Sequence, residues 1–303
     1  MARMCHGKMV LERGTLRAID CEACGYVHLL PRPTEAQLEQ LYRDEYYQAY
    51  NAGWFEKEQR EWWYWRAVYR QRAKVFGKLT GTTEDRIRFI LDYGSGVGWF
   101  ERALDDIDLG CGIVARSYEP SPEARRWALY NNGVPISYTD FVKDPGFVDF
   151  FDLIHASLVL EHLLDPLDFL KRAWQALAPS GLLCIVVPNE FNRYQRELMR
   201  RTDYTPIHEH HVNYFTPATL SDLVQRAGFS VTRVASTFPM EWFALHGLNY
   251  VKRPKLGKVA HWTRMAIERS ALAAAPDKWE AVKQRWARKG VGREIELWAR
   301  KTG

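Results

Sequence analysis

A chain of 303 residues with 47% hydrophobic content can bury one α/β domain of ordinary size and carry appended pieces. Its net charge of +5 gives no argument for a nucleic-acid binder. No apolar stretch approaches the ~18 residues of a membrane span, which excludes a helical membrane protein. Met1–Val10 is polar and the five cysteines are an odd number, so the expectation is a reduced, cytoplasmic protein without a secretory signal.

The chain opens with Cys5, His6, Cys21, Cys24 and His28. Cys21-Glu22-Ala23-Cys24-Gly25 has the form of a metal knuckle, in which a glycine lets backbone N–H groups face the thiolates. The upstream ligands would be Cys5 and His6, which are adjacent and could share an ion only through an unusual backbone. The expected metal set is therefore Cys5, His6, Cys21 and Cys24, holding structural zinc, against a vestigial knuckle of free thiols. Pro31 and Pro33 close this piece. Thr34 then caps a helix with Gln37 three positions on. Tyr42, Tyr46, Tyr47 and Tyr50 lead into a helix predicted from Trp54 to Leu79. Its aromatic stripe reads either as packing against a core or as a cover over a ligand.

The pattern changes at Ile87–Leu91, a short apolar run suited to a buried parallel strand. It ends at Asp92, and glycines follow at 94, 96 and 98 before Trp99 opens a helical stretch. Strand, glycine turn and helix start let the backbone approach a ligand closely. A carboxylate at the strand end suits a cationic group better than a diphosphate. A second strand, Ile113–Tyr118, ends at Glu119, where an open α/β sheet places a ribose-binding acid. Ser121 and Pro122 start the next helix. A third short strand is expected near Val134–Tyr138, before Thr139-Asp140-Phe141. A fourth covers Phe150–Ser157 and a fifth Leu182–Val187, with a crossover helix over Pro166–Ala178 between them. Cys111 and Cys184 are expected inside core strands as small hydrophobes.

Asp92-Tyr93-Gly94-Ser95-Gly96-Val97-Gly98 resembles motif I of the class I S-adenosylmethionine (SAM) methyltransferases. Leu158–Pro166 (L-V-L-E-H-L-L-D-P) and Leu177–Leu183 (L-A-P-S-G-L-L) resemble that family's later motifs. The resemblance implies a Rossmann-like α/β sheet, mostly parallel with a reversed seventh strand, and SAM as cofactor. It assigns SAM contacts to Asp92, Gly94, Ser95, Gly96, Glu119, Pro120, Asp140, Phe141 and Ser157. Asp140 would bond the adenine amino group while Phe141 packs on the ring. The tyrosines before motif I would close over the sulfonium, where aromatic faces attract the cation and exclude water. The segment C-E-A-C-G-Y-V-H-L-L-P-R-P resembles the small zinc-binding module ahead of many bacterial methyltransferases.

Beyond the fifth strand, H-E-H-H-V-N-Y-F-T (His208–Thr216) resembles a large bacterial branch acting on sugars and small molecules. Its matching histidine, His211, is implied to be the proton acceptor, with His210 and His208 in support. The matching C-methylating members often carry Glu where this chain has His210. Histidine suits the task because its ordinary pKa lies near neutrality. Anchoring of the loop, or metal binding by the three histidines and Glu209, is the alternative, and Glu161 and His162 are second candidates. A sixth strand is expected over Ser230–Ser236 and the seventh from Phe238. The tail beyond Arg253 is expected to be helical and basic, facing few acids.

The expected organisation is a zinc-ribbon-like module (1–33), an aromatic helical cover (34–85), a SAM-dependent core (86–250) and a basic helical C-terminal extension (251–303). The expected function is O-methylation of a sugar hydroxyl in a surface glycan or natural product. Sugar C- or N-methylation, RNA methylation and a non-catalytic SAM-binding scaffold are the alternatives. A homo-oligomer is compatible with the sequence.

Overall fold

The computed structural model describes residues 5–50, 53–81, 87–208 and 210–302. In chain order the strands are β1 (Gly7–Arg13), β2 (Leu16–Cys21), β3 (Tyr26–Leu30), β4 (Arg88–Tyr93), β5 (Ile113–Tyr118), β6 (Phe151–Ser157), β7 (Leu177–Pro188), β8 (Asn213–Tyr214), β9 (Phe229–Ser236) and β10 (Glu294–Lys301). The chain divides into two compact units, each drawn from several segments.

One unit comprises residues 33–157, 168–184 and 300–303. Its sheet runs in the order β5-β4-β6-β7, and β4 pairs in parallel with both β5 and β6. Covered on both faces, such strands read as continuous apolar runs. Ile90, Leu91, Leu153 and Ile154 are accordingly fully buried. The register sets Ser117 and His155 on either side of Asp92, which places three polar side chains in one row near the strand ends. The expected third strand is reduced to a single bridge between Tyr118 and Ser137. Cys184 lies buried on β7, whereas Cys111 sits in the loop before β5.

Thr34 caps its helix as expected, accepting from the Gln37 N–H while Gln37 reaches back. The long helix covers Trp54–Thr80 and buries Glu61, Tyr64, Arg72, Val75 and Phe76 at helical spacing. Each large apolar side chain so buried contributes about 1.5–3 kcal/mol.

The other unit comprises residues 5–32, 158–167 and 185–299. Strands β1, β2 and β3 form an antiparallel meander, and β8 joins its edge through Val27 opposite Tyr214 and His28 opposite Asn213. Ala18, Leu29, Phe191, Ile207 and Tyr214 form one buried cluster behind it. The remainder of β7 continues here, followed by β10 and then β9.

The seventh strand corrects the sequence expectation. Glu241–Leu245 is a helix, and the strand between β7 and β9 is Glu294–Lys301, near the end of the chain. The tail is therefore two helices, Pro254–Ala274 and Pro276–Arg288, followed by a core strand. Its basic residues also find more acids than expected. Arg264 donates to Glu268 at 2.6 Å in the interior, and Lys283 lies 3.7 Å from buried Glu296. Arg233 on β9 bridges Glu280 and Glu296, which hold its guanidinium charged by raising its pKa despite burial. In E-I-E-L-W-A-R-K the charged residues mimic a solvated segment, although Glu296 finds its partners on β9 and the preceding helix.

Candidate functional site

The glycine turn closes the end of β4. Gly94, Gly96 and Gly98 all adopt positive φ, which explains glycine at each. At Gly98 a side chain would also meet Val134 Cγ1 at 2.8 Å, so the turn packs too closely for any other residue. The Gly96 N–H donates to Glu119 Oε2 at 3.0 Å, and the Ser121 N–H donates to Glu119 Oε1 at 3.0 Å. Two backbone donors thus aim the Glu119 carboxyl, and Arg125 fastens the strand end by donating to the carbonyls of Glu119 and Pro120. Burial pushes Glu119 up to about 7 despite those donors.

Asp92 is only 4% exposed and accepts from His155 Nδ1 at 2.6 Å. Arg72 Nη1 lies 3.3 Å from the other ring nitrogen. A guanidinium only donates, so Nε2 accepts and the His155 proton sits on Nδ1, directed at Asp92. Phe100 stacks on the His155 ring at 4.1 Å. Ser117, beside Asp92 in register, bonds Glu101, whose carboxyl burial and the Asp92 charge raise well above the ordinary range. Asp140 accepts from the Tyr93 hydroxyl at 2.9 Å, and Phe141 is buried against Phe147 at 5.1 Å. Ser157 Oγ accepts from Arg72 at 3.4 Å. Ser95 Oγ is buried without a hydrogen-bond partner among the described residues.

The aromatic segment stands directly over this turn. A Cβ added at Gly96 would meet Trp54 at 3.4 Å and the Tyr47 hydroxyl at 3.9 Å. Tyr47 stacks on Phe55, Phe55 on Trp127, and Trp62 on Trp99. Tyr42 and Tyr46 pack on each other at 5.3 Å. The side chain of Tyr50 lies outside the description. The residues fit a nucleoside cation: a bare glycine turn, an aimed ribose-type acid, an orphaned hydroxyl and aromatic faces within contact range of the turn.

A second polar cluster forms in the other unit. Val212 N–H donates to the Glu161 carbonyl at 2.7 Å, and the Asn213 amide donates to the Leu160 and Leu163 carbonyls, tying the histidine loop to residues 160–163. His211 Nδ1 lies 3.2 Å from both oxygens of Glu190. His208 Nε2 is 3.9 Å from the same carboxyl. His162 donates from Nδ1 to the His210 carbonyl at 2.8 Å and turns Nε2 to 3.9 Å from Glu161 Oε1. Glu161 is 1% exposed, and neither carboxyl oxygen has a hydrogen-bond partner among the described residues. Burial holds His211 down to about 3 and Glu190 up to about 8. Both shifts favour a net-neutral pair around pH 7. His211, His210, His208 and His162 are thus brought together, while Glu209 lies outside the described residues.

The cysteine knuckle gathers Cys5, Cys21, Cys24 and His28, with all ligand atoms within 4.8 Å of one another. Cys5 and Cys24 sulfurs stand 3.8 Å apart, which matches two thiolates each ~2.3 Å from one tetrahedral zinc. His28 Nδ1 lies 3.2 Å from the Leu29 carbonyl and therefore donates to it, while buried Nε2 has no hydrogen-bond partner among the described residues. The four donors fit structural zinc. His6 is outside this set and pairs with Glu22 at 3.3 Å on the surface. The adjacent Cys5 and His6 therefore need not share an ion, because strand pairing supplies His28 instead.

Sequence reading did not single out Glu190, His155, Arg72 or the ligand role of His28. His155 carried a signal, being a lone imidazole in the otherwise apolar F-D-L-I-H-A run. Glu190 carried none, since its partner is set by β7's exit, while His28 stood in the Cys/His-bearing opening segment without being assigned as a ligand.

Against known proteins, the profile of a methyltransferase domain family matches residues 64–234. A Mycolicibacterium smegmatis protein named as a probable S-adenosylmethionine-dependent methyltransferase is 25% identical over 175 residues, 58% of this chain and 63% of that protein. The chain thus spans under two thirds of that relative's length. A chain from the Haloferax volcanii complex between the Trm112 methyltransferase activator and a methyltransferase superposes with a TM-score of 0.50 at 17% identity, covering 88% of this chain and 98% of its own. A SAM-dependent methyltransferase of Thermotoga maritima gives 0.47 at 16% identity over 82% of this chain and 96% of its own. At these identities the Haloferax likeness speaks to the fold alone, a Rossmann-like α/β sheet. Among the described residues no helix is long and apolar enough to cross a membrane.

Proposed function

We propose, from the premise that this chain belongs to the methyltransferase domain family, that it is a SAM-dependent methyltransferase acting on a small polar acceptor. The favoured acceptor is a sugar hydroxyl of a surface glycan or natural product. The observation that carries the reading is Glu119, a buried acid aimed by the Gly96 and Ser121 N–H groups at the mouth of a glycine-rich turn. When bound, SAM supplies a sulfonium methyl for in-line transfer to the acceptor oxygen.

Gly94 and Gly96 let the backbone approach the cofactor, Glu119 accepts from ribose hydroxyls, and Asp92 presents a carboxylate whose orientation His155 fixes. Asp140 stands at the adenine end with one oxygen on Tyr93. Phe141, already packed on Phe147, forms part of the wall there. Tyr47 and Trp54 exclude water above the turn. Positioning supplies much of the rate because a sulfonium is already a strong electrophile.

His211 is the proposed proton acceptor, with His208 and His210 beside it and Glu190 placed to stabilise the imidazolium that forms. General-base assistance of this kind is worth roughly 10²–10⁴ in rate. Cys5, Cys21, Cys24 and His28 would hold structural zinc. Because β3 pairs with β8, that ion would brace the strand following the histidine loop. A cytoplasmic setting is part of this proposal, supported by an odd number of cysteines of which three would serve as thiolate ligands.

The test is transfer of labelled methyl from SAM to a panel of free and nucleotide-linked sugars. Labelled product from a sugar, lost in Glu119→Ala, supports the reading. Cofactor binding with label appearing only on RNA would replace the acceptor class, and absence of cofactor binding would remove the reading altogether.

A further inference from the structure

We propose that Glu161, His162 and His211 form a binding site for a divalent first-row metal ion, separate from the cysteine knuckle. The inference deepens the methyl-transfer reading and rests on it for what the ion would do. One ligand atom from each of the three residues lies within 4.8 Å of the others. The 3.9 Å between His162 Nε2 and Glu161 Oε1 falls inside the ~4.2 Å that two ligands at ~2.1 Å from one ion can span.

Three features separate this cluster from an ordinary hydrogen-bonded network. Glu161 is 1% exposed, yet both its carboxyl oxygens lack a hydrogen-bond partner among the described residues. A buried carboxyl left so costs free energy, and a cation is one way the cost is offset. Each imidazole is oriented through Nδ1, His162 by the His210 carbonyl and His211 by Glu190. Metal-binding histidines are held by such partners, which fix the ring and leave Nε2 for the ion. Finally, His162 and His211 rings stand 5.0 Å apart at 72°, and their side chains keep 11% and 18% exposure, so ion and acceptor have access.

Two imidazoles and one carboxylate suit a first-row transition dication better than magnesium, which prefers oxygen ligands. Three protein ligands leave positions for the acceptor, and an acceptor with adjacent oxygens, such as vicinal sugar hydroxyls, would chelate. A coordinated hydroxyl gives up its proton at lower pH. In the transfer the carbon–sulfur bond breaks with its electron pair left on sulfur, the carbon–oxygen bond forms, and the hydroxyl proton passes to solvent. The ion would thus take over the task His211 performs without it, with His211 serving as ligand.

The experiment is Mn²⁺ binding, followed by loss of the free-ion paramagnetic resonance signal, to the zinc-replete whole protein and to Glu161→Gln and His211→Gln. Thiolate sites select softer ions, so the cysteine knuckle does not compete for this probe. One Mn²⁺ per chain, lost in both variants and weakened roughly 10–100-fold in Glu190→Gln, is the expected result. No bound Mn²⁺, or binding retained in Glu161→Gln or His211→Gln, would overturn the site. Thermal melts check that the variants fold, and if Glu161→Gln does not, the partly exposed His211→Gln decides. Calorimetry with S-adenosylhomocysteine on the same samples separates the two readings. Heat without Mn²⁺ binding leaves methyl transfer standing and removes the ion, whereas Mn²⁺ binding without that heat removes methyl transfer and leaves the site.

Discussion

The glycine turn and the histidine cluster are built in opposite ways. The turn is local: Asp92 to Gly98 spell out a strand end and a positive-φ loop, and Glu119 joins from the neighbouring strand. The cluster joins His208, His210 and His211, a stretch the sequence does mark, to Glu161, His162 and Glu190 from separate segments, and their meeting is what no single stretch announces. A ligand held by backbone leaves a readable spacing. A site held by side chains from separate segments leaves only the residue types.

That contrast can be broken by mutation. The largest expected effect is on turnover: His211→Ala should lower kcat by roughly 10²–10⁴ while S-adenosylhomocysteine affinity stays within about twofold. Equal turnover in stopped or continuous assays would detach the cluster from the chemistry. Next comes the pH response of the turn. Glu119 is raised to about 7 by burial, so below that pH the free protein carries a protonated acid that must ionise before it accepts from both ribose hydroxyls. Affinity should therefore fall by up to about tenfold per unit as pH drops below 7, and Glu119→Gln should flatten the profile at weaker affinity. A wild-type profile level from pH 8 to 5.5 would contradict this.

Smaller effects test the supports. Cys24→Ser should release zinc, measurable by a colorimetric chelator, and lower kcat by misplacing the strand that follows the histidine loop, with cofactor affinity nearly unchanged. Unaltered kcat in a zinc-free protein would show that the knuckle does not brace the loop. Gly98→Ala, forced to positive φ against Val134, should cost about 1–3 kcal/mol in denaturant unfolding.

How much the sequence disclosed follows the same division. The parallel core was legible because each strand is an apolar run ending in a distinctive residue, and the long helix because its buried positions recur at helical spacing. The seventh strand was not, since Glu296 looks solvated until Arg233 is placed beside it. His28 stood among the cysteines and histidines of the opening segment, but adjacency to Cys5 favoured His6 as the ligand, and only the folded knuckle brings His28 to Cys5. His155 was visible but mute: only the register that sets it next to Asp92 gives it a task.

The most direct measurement is calorimetric titration of the wild-type protein and Glu119→Ala with S-adenosylhomocysteine at pH 8. The account predicts one saturable site per chain in the wild type and no measurable heat in the variant. No heat in either, or equal affinity in both, would contradict it.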